Sequence, residues 1–197
     1  LLDRSVDSRY NDDRNRPTLA QAFEVVATGA RLSVVVAHLK SKGSSCDVDG
    51  DPNTGDGQGN CNLTRVNAAA ALADWIATDP TGSGDSDYLL VGDMNAYYQE
   101  DPIEVFRSAG LVDLLAGQAN PYSYTFAGQA GAYDYAFATS SLAPQVAGAI
   151  EWHINADEAP ARDYNLDFGR DPALFDATTP YRASDHDPTL VGLDLVN

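Results

Sequence analysis

Short apolar runs rich in β-branched residues, each ending on a polar or charged residue, constrain this chain more than any other feature. Arg31 to His38 (RLSVVVAH) and Tyr88 to Gly92 (YLLVG) are brief and punctuated, so they read as buried strands. Tyr133 to Thr139 (YDYAFAT) alternates as a strand does, another strand is expected within Ala143 to Ile154, and Thr189 to Leu195 (TLVGLDL) closes the set. Thr64 to Thr78 (TRVNAAAALADWIAT) is helical instead, with Val66, Ala69, Ala70, Ala73 and Ile76 recurring on one face, Asn62 or Thr64 as cap and Asp79-Pro80 as stop. Asp101-Pro102-Ile103-Glu104 opens a shorter helix with Asp101 as N-cap, and Gly110 ends it. Leu1 to Arg16 and Glu158 to Ala183 carry few periodic signals. Strands interleaved with a few helices predict a layered α/β or α+β architecture.

The 197 residues fit one domain, and a hydrophobic fraction of 44% excludes a disordered chain. No apolar run reaches membrane-spanning length, so no membrane segment is expected. The formal charge of −17 argues against a tight, passive binder of nucleic acid. It argues less against an enzyme that meets phosphate through a metal ion and a few local cations. Two cysteines, Cys46 and Cys61, flank a Gly/Asp-rich loop over 44–62. They lack a CxxC pattern and so make a poor zinc or redox motif. Either they form a disulfide, worth about 3 kcal/mol in the chain-entropy model and implying a secreted or extracellular setting, or they are free thiols. In the same loop Asp47, Asp49, Asp51 and Asn53 suggest Ca²⁺. Gly50, Pro52 and Gln58 break the helix–loop–helix calcium pattern, so a solvated acidic loop is the alternative. His153 reads as structural, with no carboxylate motif around it.

The chemistry-bearing residues fall at strand ends. His38 ends one apolar run, Asp93 and Asn95 follow the next, Asp134 lies in a third, and Asp185 and His186 precede the last. Asp93 and Asn95, two apart, are expected to face one cleft if the segment is extended. Carboxylates and a carboxamide suit a hard divalent cation that keeps room for phosphate. An imidazole held by an aspartate can hydrogen-bond phosphate or move a proton.

His38-Leu39-Lys40-Ser41-Lys42, Gly92-Asp93-Met94-Asn95-Ala96, Tyr133-Asp134-Tyr135-Ala136-Phe137 and Ser184-Asp185-His186-Asp187-Pro188 resemble the successive motifs of the endonuclease/exonuclease/phosphatase superfamily, which includes deoxyribonuclease I. Asn15-Arg16-Pro17-Thr18-Leu19-Ala20-Gln21, the 44–62 loop and Trp152-His153-Ile154-Asn155-Ala156-Asp157 are similar to its bacterial extracellular nucleases. The resemblance implies a four-layer α/β sandwich, two sheets face to face with helices outside. It implies catalytic roles for His38, Asp93, Asn95, Asp134 and His186, and Mg²⁺ or Mn²⁺ held by Asp185 with Asp93 and Asn95. It makes Arg16 a phosphate contact, and Lys40 and Lys42 are placed to attract backbone phosphates. The implied function is a secreted, metal-dependent nuclease on DNA, with RNA as the alternative nucleic acid substrate. The alternatives are a phosphatase or phosphodiesterase on lipids or nucleotides, and a silent calcium-loaded surface module.

The family's metal-binding glutamate has no counterpart before His38. Glu24 is the only glutamate there, in a strand-like run (AFEVVA) where it is expected to face solvent. The expectation is therefore the C-terminal part of one catalytic domain, a sandwich incomplete on its N-terminal side, with exposed apolar surface or an unpaired edge where upstream strands belong.

Overall fold

The structure is a computed structural model and describes residues 1–196. In chain order the strands are β1 (Arg16–Glu24), β2 (Arg31–His38), β3 (Tyr88–Asp93), β4 (Val112–Asp113), β5 (Tyr124–Phe126), β6 (Gln129–Gly131), β7 (Asp134–Ala138), β8 (Val146–Glu151) and β9 (Thr189–Leu193). Helix α1 (Asn62–Ile76) lies between β2 and β3, and α2 (Asp101–Ser108) between β3 and β4. One five-stranded sheet has the order β1-β2-β3-β7-β4, while β5-β6 and β8-β9 form separate antiparallel pairs. The β2–β3 pair is parallel, joined through α1 as a crossover must be.

Side-chain alternation decides the layers. Val35, Ala37, Leu90, Tyr135 and Phe137 point to one face, where Ala68, Ala69, Leu72 and Ile76 of α1 and Ile103 and Phe106 of α2 cover them. Leu32, Leu89, Ala136 and Ala138 point to the other face, where Val191 and Leu193 of β9 pack. The order is helices, five-stranded sheet, two-stranded sheet, three of the expected four layers. Among the described residues no α-helix covers the outer side of β8–β9, where the paired Ile150 and Leu190 are exposed. The mixed α/β class follows the sequence reading.

Both helix starts differ from expectation. Cys61 takes a left-handed conformation at the head of α1. The cap comes from afar: Asp51 accepts from the amides of Leu63 (3.1 Å) and Thr64 (2.7 Å). Asn62 instead donates to Asp101. The buried face of α1 is also rotated from the predicted one and includes Arg65, 0% exposed, in place of Val66 and Ala70. Its guanidinium donates to the carbonyls of Lys40, Asn60 and Gln58, tying the 44–62 loop to the core. Cys46 and Cys61 close that loop as a disulfide. At α2, Glu100 holds the N-cap position and Asp101 is the first helical residue, its carboxylate taken up by Gln58 and Asn62. Among the described residues no helix is long and apolar enough to cross a membrane.

Candidate active site

Strand register assembles the site. In β2–β3 His38 pairs with Asp93, and in β3–β7 Asp93 pairs with Asp134. Arg16 of β1 pairs with His38. Four strands thus place Arg16, His38, Asp93 and Asp134 side by side at one end of the sheet. By alternation the last three face away from the helices, on the side where β9 packs. The 184–187 loop enters β9 from that side. Gly92 lets β3 run close to β2: its φ is 138°, and a Cβ there would sit 1.9 Å from the Ala37 carbonyl oxygen.

The Nδ1 of His186 lies 2.6 Å from Asp134 Oδ2, which fixes the ring and leaves Nε2 as its free nitrogen. His38 Nε2 lies 3.5 Å from Asp93 Oδ2. Ligating atoms of Asp93, Asp134 and His186 all fall within 4.8 Å of one another, the one such group among the described residues. His38, Asp93, Asn95, Asp185 and His186 line a cleft of about 620 Å³. Tyr97, Tyr124, Phe126 and Tyr133 form its aromatic wall, with the Tyr124 ring stacked on His186 at 4.5 Å. Lys42 also lines it, above the Tyr97 ring and ion-paired to Glu100. Arg16 and Lys40 line an adjoining pocket of about 360 Å³ that shares His38 and Ser41 with the cleft.

Asn95 arrives by a different route from the pleat alternation first supposed. β3 ends at Asp93, and Asn95 is left-handed (φ 48°) in the following turn. Its backbone amide donates to Asp93 Oδ1 (2.7 Å) and its Nδ2 to Asp93 Oδ2 (2.8 Å) and the Leu39 carbonyl (3.0 Å). Asn95 therefore orients Asp93 from below.

The electrostatics are those of a crowded acidic site. Burial, reinforced by the Asp134 carboxylate, pushes the Asp93 carboxyl up to about 7. Burial opposes charge on His186, but its bond to Asp134 and the nearby Asp93 and Asp185 outweigh it and raise its pKa. Burial, then the Arg16 guanidinium, holds His38 down.

Several residues play parts the sequence did not announce. His153 has a carboxylate partner: its Nδ1 meets Asp187 Oδ2 at 2.9 Å. The other Asp187 oxygen accepts from the amides of Ile154, Asn155 and Ala156. Asn155 donates to the His186 carbonyl (2.7 Å) and accepts from the Ala183 amide (3.0 Å). Asp187 directly follows His186, which was the available signal. Glu24 sits at the far end of β1, paired with Arg31 and remote from the site. The suspected calcium ligands disperse, since Asp51 caps α1 and Asp49 pairs with Arg14.

No protein-family model and no curated protein sequence matches the chain. Solved structures do. A mannosyl-6-phosphatase of Bacteroides thetaiotaomicron matches with a TM-score of 0.58 at 16% identity over 89% of this chain and 56% of its own. An endonuclease/exonuclease/phosphatase protein of Bacteroides vulgatus matches at 0.55 and 18% identity, over 91% of this chain and 55% of its own. The human Nocturnin catalytic domain matches at 0.50 and 16% identity, over 73% and 48%. The chain spans about half the length of these structures. At such identities the likeness is one of fold, and the chain has the deoxyribonuclease I-like fold of the endonuclease/exonuclease/phosphatase proteins.

Proposed function

We propose that this chain carries the catalytic rim of a secreted, divalent-metal-dependent phosphodiesterase that hydrolyses nucleic acid, DNA foremost, with little sequence preference. The observation that supports it is the convergence of Asp93, Asp134 and His186 within 4.8 Å beside Asn95 and Asp185. Mg²⁺ or Mn²⁺ fits this donor set, because the carboxylates supply hard oxygens, and burial together with the neighbouring Asp134 carboxylate opposes charge on Asp93, a cost that a cation relieves. Asp93, Asn95 and Asp185 would hold it, and when bound it would polarise a phosphoryl oxygen and neutralise charge at phosphorus.

The chain's own residues supply the rest. Asp93 faces the attacking water and takes its proton. Asn95 holds that carboxylate in place. His38 and His186 donate hydrogen bonds to the phosphate oxygens, where charge builds in the transition state. Asp134 keeps the His186 proton on Nδ1 or, in the imidazolium, stabilises its charge. A polymeric diester is favoured over a small monoester because the cleft continues past His38 to Arg16 and Lys40. Among the described residues Arg16 has no ion pair and the Lys40 ammonium bonds only to serine oxygens, so both side chains are open to a second phosphate.

We infer also that the domain is completed by further chain. Leu19, Phe23 and Val36 are half-exposed on the face of the large sheet that β8–β9 only partly covers. A full sandwich would bury them, and the missing glutamate would come from the same added strands.

The full-length protein carrying this chain should nick plasmid DNA with Mg²⁺ and lose this activity with chelator. His186→Ala and Asp93→Ala should each lose at least about 100-fold in kcat. Undiminished cleavage by either variant would refute the mechanism. Intact DNA alongside hydrolysis of a sugar phosphate or lipid phosphodiester would move the substrate to the other reading.

A further inference from the structure

Asp134 and His186 come from different parts of the chain, the start of β7 and the loop before β9, and one buried serine touches both. Ser123, 0% exposed, precedes β5. Its Oγ accepts from the amides of Tyr133 (3.0 Å) and Asp134 (2.9 Å). Its carbonyl accepts from the Asp187 amide (2.7 Å), and its own amide donates to the Gly131 carbonyl (3.1 Å). The next residue, Tyr124, forms a bridge with His186 and stacks on its ring. Ser123 is thus bonded on one side to the residue carrying the carboxylate and on the other to the neighbour of the residue carrying the imidazole.

We infer that Ser123 is a positioning residue that sets the Asp134–His186 pair in register, and that its hydroxyl is needed for catalysis though it does not touch substrate. The 2.6 Å contact between the two side chains fixes the imidazole only if both backbones are fixed. Two adjacent amides at the head of β7 have their acceptor in the Ser123 hydroxyl. Without it they are buried donors with nothing to bond, and the strand end shifts to find water or another acceptor. A displacement of about 1 Å at a reacting group can cost about 100-fold in rate.

This inference rests on the phosphodiesterase reading for its kinetic arm but not for its spectroscopic one. Ser123→Ala and Ser123→Cys remove or weaken the acceptor at nearly constant volume, and Ser123→Thr keeps it. In the full-length protein, with plasmid or oligonucleotide DNA and Mg²⁺, the first two should lower kcat about 10- to 100-fold and leave KM within about twofold. Ser123→Thr should recover most of the loss. In a His186→Ala background, Ser123→Ala should cost nothing more, since the pair it positions is gone. Imidazole ¹⁵N resonances should show His186 Nδ1 bonded in the wild type and in Ser123→Thr but exchanging in the other two. Equal losses in both backgrounds, or an unchanged His186 resonance in a folded Ser123→Ala or Ser123→Cys protein, would overturn the inference. If the wild-type protein cut no DNA, the phosphodiesterase reading would fail, and the resonances alone would still decide the role of Ser123.

Discussion

Glu151 offers a quantitative test of the packing beneath the site. It ends β8, is 5% exposed, and neither carboxyl oxygen has a hydrogen bond of acceptable geometry. Burial pushes it up to about 7 from an ordinary 4.5, against the Tyr122 main chain and the His153 ring. A carboxyl that binds its proton more tightly folded than unfolded destabilises the fold as pH rises. The loss begins near the unfolded value, grows through the interval and levels off above the folded value. At about 1.4 kcal/mol per tenfold change in proton affinity, it reaches at most about 3 kcal/mol. Glu151→Gln mimics the protonated acid at nearly the same volume. Urea unfolding of wild type and variant from pH 4 to pH 8 should give equal stabilities near pH 4. The variant should gain steadily to about 2–3 kcal/mol by pH 8. Groups remote from Glu151 titrate alike in both proteins and cancel in the difference. A difference that stays flat with pH, or a variant that is less stable at pH 8, would refute the claim that burial outweighs what the Tyr122 main chain and the His153 ring offer the carboxylate.

Gly92→Ala should prevent folding or cost more than about 4 kcal/mol in chemical denaturation, since its Cβ would lie 1.9 Å from the Ala37 carbonyl oxygen and its φ is 138°; a cost under about 1 kcal/mol would mean that β2 and β3 are not so closely joined. Chain 1–197 in isolation should bind a hydrophobic dye at the half-exposed Leu19, Phe23 and Val36 face and the full-length protein should not, and equal binding would count against a domain completed by further chain.

The apolar strands were legible because burial on both faces demands β-branched runs. β2, β3, β7 and β9 were found within two residues of their ends. β1 was harder to see, since its buried side is Thr18 and Ala20 while Leu19 and Phe23 stand exposed. Hydrophobicity along RPTLAQAFE therefore marks a face that the described residues leave exposed. The β5–β6 hairpin turns through Ala127 and Gly128, both at positive φ, where the sequence gives no Asn-Gly or Asp-Gly signal. Within the site, His38, Asp93 and Asp134 were visible as polar residues closing apolar runs, and strand register did the rest. Asn95 reaches the site through a left-handed turn after β3, which strand alternation does not encode. Ser123 leaves no trace and Asn155 shows only within the 152–157 resemblance, because their work consists of hydrogen bonds to backbone at distant positions, and no residue spacing encodes that.

The net charge of −17 is then less of an obstacle to a polyanionic substrate than it first looks. Many aspartates are spent locally: Asp3, Asp7, Asp79, Asp113 and Asp176 accept from backbone amides a few residues on, shaping turns. At the cleft the balance differs. Arg16, Lys40 and Lys42 stand along its length, and salt screens the remoter acids beyond about 8–10 Å at physiological strength. What screening cannot offset is the group inside, where Asp93, Asp134 and Asp185 crowd the place that the proposed function assigns to a phosphate. On the proposed reading the divalent cation has two tasks there, to activate the phosphate and to make its approach tolerable. An acidic site without its ion should therefore fail at binding before it fails at chemistry, and an acidic surface costs such an enzyme little so long as the ion is present.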